Sequence, residues 1–481
     1  MSSAASLTTL PPVIVGAGPA GIRAAETLVR AGLRPVLIDE TAKGGGQIYR
    51  QQPDGFSRPA KALYGFEASR AEALHASWRA LLDQVDYRPH TLVWNSEGGE
   101  LDLLQVREQH YDGQPWQQLI LATGATDRIL PFQGWTLPGV YTLGAAQIAL
   151  KYQATAIGSR VVFAGTGPLL YLIAYQYAKA GVEVAAVLDS APFSAKLQAT
   201  PAMLKGPAVF AKGLWYLGWL KARGIRIEYD AHLLAASGDQ RLTAVRWRQQ
   251  GQEQQLDCDG LGFGYALRSE TQLADILDCR FQFDELNRAW LPVRDAMGRS
   301  SRDGVYLAGD GAGIMGADAA EWAGELAALA LLQDSGRAVD ATRVSQLQQQ
   351  LARTRQFRQA LEDAFPFPEQ WVHEVADDVV LCRCENVTVG EARRLISELS
   401  LQDMNRLKAH SRVGMGRCQG RMCGLAAAEL LAATSGQSVA DAGRLRAQAP
   451  VKPLPYAIAP TVQQWSPALP VTAVAEEADH D

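Results

Sequence analysis

Short apolar runs that end in glycine recur along the chain. The first, Val13–Val15, leads through Gly16, Gly18 and Gly21 into a stretch with apolar positions at helical spacing over residues 22–31. A second apolar run, 35–38, follows, so the segment predicts strand, glycine turn, helix, strand. The same order returns over 159–189, about 150 residues further on. Between the two, residues 41–75 are rich in Gly and Gln and read as irregular. Residues 85–125 predict short strands, among them 91–94 and 119–123, and 225–265 are strand-like again. Residues 304–333 read as a strand, a Gly-Asp turn and a long Ala-rich helix. A polar helix rich in Gln and Arg is predicted over 339–363, and Pro366 and Pro368 break it. Residues 379–435 form a compact unit bearing cysteines. From about 440 the chain carries many Pro and Ala and ends in EEADHD, which predicts an extended path over another domain and then disorder.

Two βαβ units that each open with glycines imply an α/β protein with two Rossmann-like dinucleotide-binding lobes. The expected division is 11–140 with 295–335 as the first lobe and 141–294 as the second. A helical linker over 336–378, a small α-helical cysteine domain over 379–432 and a tail over 433–481 complete it. A length of 481 residues accommodates about three domains. The net charge of -5 argues against a nucleic-acid binder, which needs basic surface to neutralise phosphates. Six cysteines in so long a chain do not make a disulfide scaffold. The N-terminus has no basic region ahead of a separate apolar one, so no signal peptide is expected. No apolar stretch reaches the ~18 residues of a transmembrane helix. A reducing, cytoplasmic compartment is therefore expected.

The first glycine segment carries specific chemistry. Gly16 permits the tight turn, Gly18 lets the backbone approach a pyrophosphate, and Gly21 allows close packing of helix on strand. Pro19 and Ala20 lie between them, where the helix N-terminus offers free N–H groups. Asp39 follows the second strand, 23 residues after Gly16, and can accept from ribose hydroxyls, with Glu40 as the alternative acid. The second segment keeps Gly165 and Gly167 but places Leu170 where the third glycine stands. Asp189 ends its second strand with no arginine nearby for a 2′-phosphate, which favours NAD over NADP if a nicotinamide binds. A lobe kept for architecture, or one holding another nucleotide, fits the same departure.

Cys258 and Cys279 are isolated and read as buried structural thiols. Cys382, Cys384, Cys418 and Cys423 differ: they form C-x-C and C-x4-C pairs with 33 residues between them. Four thiolates in two close pairs suit a 2Fe-2S cluster. Zinc is the competing metal, although its pairs are usually spaced C-x2–4-C, and a site without metal is the third reading. Thr388 and Glu391 predict a capping box opening a helix over 391–399. Gly414, Gly416 and Gly420 let amides close around sulfur, and Arg383, Arg417 and Arg421 are expected to offset cluster charge. The seven histidines are scattered, and no catalytic residue is assigned.

Residues 11–330 resemble the flavoprotein oxidoreductases with two dinucleotide domains, the glutathione-reductase and thioredoxin-reductase superfamily. Besides the first fingerprint, the resemblance rests on Gly44, Gly45, Gly46 and Gln47 after the acid, on Ala122, Thr123 and Gly124 in an Ala-Thr-Gly strand, and on Gly309 and Asp310 in a Gly-Asp motif. It implies FAD as cofactor. Residues 379–432 resemble the bacterioferritin-associated-ferredoxin type of 2Fe-2S domain, with C-x4-C in place of its C-x2-C. The whole chain resembles the large α subunits of hetero-oligomeric amino-acid and opine dehydrogenases, which include hydrogen cyanide synthase, nopaline and octopine oxidases, and D-hydroxyproline or proline dehydrogenases. That resemblance implies a substrate-oxidising FAD β subunit similar to D-amino-acid or glycine oxidases. It also implies a small ferredoxin-like γ subunit in some members and a downstream electron acceptor, through which the chain would sit peripherally at the inner membrane. The competing readings are a self-sufficient NAD(P)H reductase and a non-catalytic assembly subunit. The segment GLWYLGWLKARG, with Trp215, Tyr216 and Trp219, is either a partner-docking helix or a core-packed one.

Overall fold

The computed structural model describes residues 10–455. Two five-stranded sheets, parallel throughout, organise the chain. In the first the strand order is Val305–Leu307, Leu119–Leu121, Val13–Val15, Val36–Ile38, Asp86–Arg88. Side chains alternate between the two faces of a strand, and here both faces are covered, which is why Val13–Val15 is apolar at every position. Ile14, Leu37 and Ile120 face the helices Pro19–Arg30, Ala68–Leu81 and Ala317–Asp334. Val13, Val15, Val36 and Ile38 face the antiparallel ribbon of Thr91–Glu97, Glu100–Gln105 and His110–Pro115 and the short helix Gln272–Ile276.

The second sheet runs Arg226–Tyr229, Glu183–Asp189, Arg160–Thr166, Gly260–Tyr265, Val140–Thr142. Helices Leu143–Lys151, Pro168–Lys179 and Pro207–Lys221 cover one face. The other face carries the ribbon Ala231–Ser237, Ala244–Gln249 and Gln252–Asp257, and its core runs on without a break into the cysteine domain. Trp135 belongs to that shared core and donates from Nε1 to the carbonyl of Val380 at 2.6 Å. Trp371 answers it, donating to the carbonyl of Pro131 at 2.7 Å. An indole buries about 200 Å2, on the order of 5 kcal/mol of hydrophobic stabilisation before entropy is counted, so Trp135 is a major tie between the domains. The linker helix Ala341–Ala364 lies along Phe193–Met203 and Ala317–Asp334.

Three local readings change. The first helix begins at Pro19, three residues before the predicted start, because proline is accommodated in a first helical turn. Residues 41–75 are not all irregular: Ala60–Tyr64 and the start of Ala68–Leu81 are helical, and Ala71 and Leu74 enter the core. The Trp215 segment lies within Pro207–Lys221 and divides between its two readings. Tyr216 and Leu220 are buried in the lobe, whereas Trp215 is 40% and Leu214 53% exposed. Residues 440–455 run between the cysteine domain and the first lobe. Arg444 and Arg446 hold Asp275 there, and the amide of Val451 donates to Trp94 O at 2.9 Å. The acidic end expected to be disordered lies outside the described residues. Among the described residues, no helix is long and apolar enough to cross a membrane.

Candidate functional site

The first fingerprint folds into a cradle at the carboxyl end of the first sheet. A Cβ on Gly21 would stand 1.8 Å from the Gly16 carbonyl oxygen, so glycine there is demanded by the chain's own packing. Gly18 is different. Its backbone is extended at φ -78°, and a Cβ would meet nothing nearer than Gly46 Cα at 3.7 Å. The space in front of Gly18 is thus left open. The helix it opens has neither a side-chain cap nor an acid in its first turn. An uncapped helix N-terminus with an unfilled approach fits a pyrophosphate.

The acids behave differently from each other. Asp39 Oδ2 accepts from the Ala17 amide at 2.6 Å, and Oδ1 accepts from the amide and hydroxyl of Thr41 at 2.7 and 2.6 Å. Burial pushes this carboxyl up while those donors pull it down. Asp39 therefore braces the glycine turn, and Glu40, half-exposed and paired with Lys452 at 2.7 Å, faces outward. Gly45 donates to Ala17 O at 2.8 Å, which brings Gly45 and Gly46 under the same turn, with Gln47 exposed beside them. Ala122 packs on Gly16, and the Ala122 amide donates to Val15 O at 2.8 Å. Asp310 Oδ1 accepts from the amides of Met315 and Gly316 at 2.9 and 3.1 Å, and burial raises its pKa. Gly309 lies against Ala20, where a Cβ would come within 2.9 Å of the alanine methyl. The structure thus gathers Gly16 to Gly21, Gly45, Gly46, Ala122 and Gly309 around one cradle.

The second fingerprint keeps an uncapped helix N-terminus at Pro168 but differs at its third glycine position and at its acid. Gly165 is pressed on Gly264, whose carbonyl oxygen would lie 1.8 Å from an added Cβ, and Leu170 is fully buried in the lobe core. Gly167 remains open, with nothing nearer than 3.9 Å. Asp189, the acid that would meet a ribose, is fully buried and already engaged. Tyr171 donates its hydroxyl to Oδ2, Lys196 pairs with the same oxygen at 2.8 Å, and the Ala191 amide donates to Oδ1 at 2.9 Å. Phe365, at the end of the linker helix, lies under the Lys196 ammonium at 4.7 Å.

The four cysteines converge in a chain of sulfur contacts, Cys382 to Cys423, Cys423 to Cys418, Cys418 to Cys384. Contact with Cys423 draws the Cys382 thiol down to about 6 and Cys418 to about 5, against burial, and backbone amides of Gly414 and Gly420 assist. A Cβ on Gly416 would fall 2.2 Å from Cys384 Cβ, so the loop closes only with glycine. Four converging cysteines, with the amides of Gly414 and Gly420 directed at two of them, fit a 2Fe-2S cluster that would take all four as thiolates. The capping box of Thr388 and Glu391 is formed and fixes the helix Val389–Glu398. Of the arginines expected to offset cluster charge, Arg383 lies over the Trp135 ring at 5.7 Å, Arg417 is exposed, and Arg421 pairs with Glu270 while its Nη1 donates to Cys418 O at 3.4 Å.

Cys258 and Cys279 are buried apart, and burial pushes the Cys258 thiol up to about 12, so neither is poised to react. The sequence did not single out Glu270, Arg268 or Gln272, which meet the cysteine loop, nor Leu445, whose Cδ1 rests against Gly414, Gly420 and Gly424. The contacts of Glu270, Arg268 and Gln272 join segments about 150 residues apart and have no local signature.

Residues 11–324 match the family described as Pyridine nucleotide-disulphide oxidoreductase, and residues 380–433 match the BFD-like [2Fe-2S] binding domain. An opine oxidase subunit of Rhizobium meliloti is 35% identical, covering 100% of this chain and 93% of that protein. Hydrogen cyanide synthase subunit HcnB of Pseudomonas aeruginosa is 36% identical, covering 93% and 97%. The crystal structure of L-proline dehydrogenase from P. horikoshii shares the fold, with a TM-score of 0.69 over 94% of this chain and 79% of that one, at 19% identity. The chain is thus an FAD-dependent oxidoreductase with a 2Fe-2S domain, and it belongs to the pyridine nucleotide-disulphide oxidoreductase family together with these subunits of opine oxidase and hydrogen cyanide synthase.

Proposed function

We propose that the chain is the electron-transfer subunit of a hetero-oligomeric dehydrogenase or oxidase acting on an amino acid, an imino acid or an opine. Electrons enter from a partner FAD subunit, similar to D-amino-acid or glycine oxidases, that oxidises the substrate. They leave singly for a downstream acceptor, and a small ferredoxin-like subunit is a further component. When bound, FAD supplies the exchange between two-electron and one-electron chemistry, and the cluster supplies one-electron carriage. The chain's residues bind and orient. Gly16, Gly18, Pro19, Ala20 and Gly21 take the pyrophosphate, and Asp39, whose Oδ2 accepts only the Ala17 amide and keeps a second lone pair, takes the ribose, with Glu40 as the alternative acid. Gly45, Gly46, Gln47, Ala122, Thr123 and Gly124 line the flavin, and Asp310 offers Oδ2 to the ribityl chain. Cys382, Cys384, Cys418 and Cys423 hold the cluster. The exposed apolar face at Leu214 and Trp215 is the surface offered to a partner. The protein works in the cytoplasm, reaching the inner membrane only through its acceptor.

The observation that carries this reading is the state of Asp189. That carboxylate stands where an acid would meet the ribose of a nicotinamide cofactor, and here it is fully buried and held by Tyr171, Lys196 and Ala191 inside the lobe, whereas Asp39 of the first lobe stays partly exposed. An acid engaged in this way argues against nicotinamide as the donor, and relatives that are themselves subunits support entry of electrons from a partner. The test is anaerobic mixing of the purified chain with NADH, together with affinity purification from its own cells. The expected result is a flavin that stays oxidised and a second flavoprotein that accompanies the chain. Rapid bleaching of the isolated chain by NADH would establish the reductase instead.

A further inference from the structure

The strand Leu267–Ser269 pairs antiparallel with Ala125–Asp127, immediately after the Ala-Thr-Gly strand of the flavin lobe. Glu270 is anchored there twice through its backbone. Its amide donates to Gly124 O at 3.0 Å, and Thr123 Oγ1 donates to its carbonyl at 2.5 Å. From this anchor the same segment reaches the spacer between Cys418 and Cys423. Gln272 Nε2 donates to Gln419 O at 2.6 Å, and Arg268 Nη1 donates to the carbonyls of Gly420 and Arg421, both at 3.2 Å. Arg421 completes the contact with a fork onto Glu270, Nε to Oε2 at 2.7 Å and Nη2 to Oε1 at 3.3 Å. Three of the four residues between the cysteines are therefore spent on the flavin lobe. A C-x2-C spacer, with two residues, is too short to supply all three.

The pair is enclosed, with side chains only 9% and 13% exposed. Burial pushes the Glu270 carboxyl up, but Arg421 and then Arg268 outweigh it, and the carboxyl stays below its ordinary range. A fork of this kind fixes orientation as well as charge.

We propose that Glu270 is a positioning residue for electron transfer: it docks the C-x4-C spacer on the flavin lobe and, by neutralising Arg421, sets the reduction potential of the cluster. The inference rests on the relay reading above. Reduction adds one negative charge to the cluster. While Glu270 balances Arg421, the guanidinium offers little net attraction to that charge. Removing the carboxylate's charge leaves Arg421 and Arg268 uncompensated and favours the reduced cluster. Removing Arg268's charge does the opposite. A unit charge at the rim of an enclosed site changes such an equilibrium about tenfold, which for one electron is about 59 mV.

The test is a redox titration of the full chain, loaded with FAD and iron, followed by the paramagnetic resonance of the reduced cluster. Glu270→Gln is expected to raise the midpoint potential about tenfold in equilibrium terms, and Arg268→Gln to lower it by a similar factor. Simple loosening of the loop would move both variants the same way. Unchanged potentials, or shifts of one sign, would overturn the proposal. If Glu270→Gln fails to retain iron, Arg268→Gln decides alone: a lowered potential upholds the proposal and an unchanged one overturns it. Opposite shifts in the variants, with no passage of electrons from flavin to cluster in the wild type, would sink the relay while leaving the electrostatic role of Glu270 standing.

Discussion

Replacing Gly18 by valine separates ligand binding from folding at this site. The backbone there is extended, φ -78° and ψ -173°, a conformation valine adopts readily. The nearest heavy atom to a new Cβ is 3.7 Å away, ordinary van der Waals contact. The apoprotein should therefore fold, with its thermal midpoint within a few degrees of wild type. The branched side chain would instead fill the approach to the helix N-terminus and hold a pyrophosphate away from the amides. Hydrogen bonds to a charged group contribute about 1.5–3 kcal/mol each. Loss of two costs about 3–6 kcal/mol, a fall in FAD affinity of roughly 10²- to 10⁴-fold. Gly21→Ala is the matched control: its Cβ would lie 1.8 Å from Gly16 O, so it should damage fold and flavin binding together. The assay is the flavin-to-protein ratio from absorbance, set beside circular-dichroism melting curves. Gly18→Val purified with a full complement of FAD would refute the placement. Gly18→Val that is unfolded to the same degree as Gly21→Ala would refute the claim that the space is reserved for ligand.

Three further outcomes follow from the geometry. Cys418→Ser should lose iron, measured by metal analysis, while FAD stays bound, because cluster ligation couples to folding of the small domain whereas the glycine cradle is built from the first lobe's own residues; stoichiometric zinc in the wild type would replace the cluster with a structural site. Leu445→Ala should cost about 2 kcal/mol in chemical denaturation and speed loss of iron to a chelator, since Leu445 fills the hollow over Gly414, Gly420 and Gly424; unchanged iron release would remove its sealing role. Lys151, buried with a single hydrogen bond to Ile48 O at 3.0 Å, is held by desolvation at about 7, against 10.5 for a free lysine. Between those values the unfolded chain holds a proton the folded one lacks, so this group's penalty is full below about pH 7 and fades as pH rises toward 10.5. Lys151→Met should therefore stabilise the protein by up to about 5 kcal/mol at pH 6.5 and by much less at pH 9.5, and an equal gain at both values would show that the lysine is not titrating there.

Much of the first lobe is legible from residues close together in the chain. Val13–Val15, the glycines and the acid after the second strand obey local rules, because a tight turn and a helix N-terminus are local structures. Even there the division of labour is not legible: Asp39 and Glu40 are adjacent acids, and only the hydrogen bonds of Asp39 to Ala17 and Thr41 assign one to the turn. At the second lobe Leu170 signals a departure, but the engagement of Asp189 depends on Lys196, backed by Phe365, arriving from a helix and a linker elsewhere in the chain. The cysteine pairs are plain in the sequence, and the purpose of their long spacer is not. Arg421 reads as a counter-charge for sulfur, whereas in the fold it is drawn to Glu270, a residue that nothing in its neighbourhood distinguishes.

The central claim is that the bound flavin and the cysteine cluster of this one chain form a relay. It is tested most directly by reducing the flavin with light and a sacrificial donor, without oxygen, while recording both the flavin absorbance and the low-temperature paramagnetic resonance of the cluster. A relay requires the reduced-cluster signal to grow in step with delivered electrons and to approach one spin per cluster. A flavin that bleaches completely while the cluster stays oxidised, with a cluster that dithionite reduces in the same sample, would contradict it.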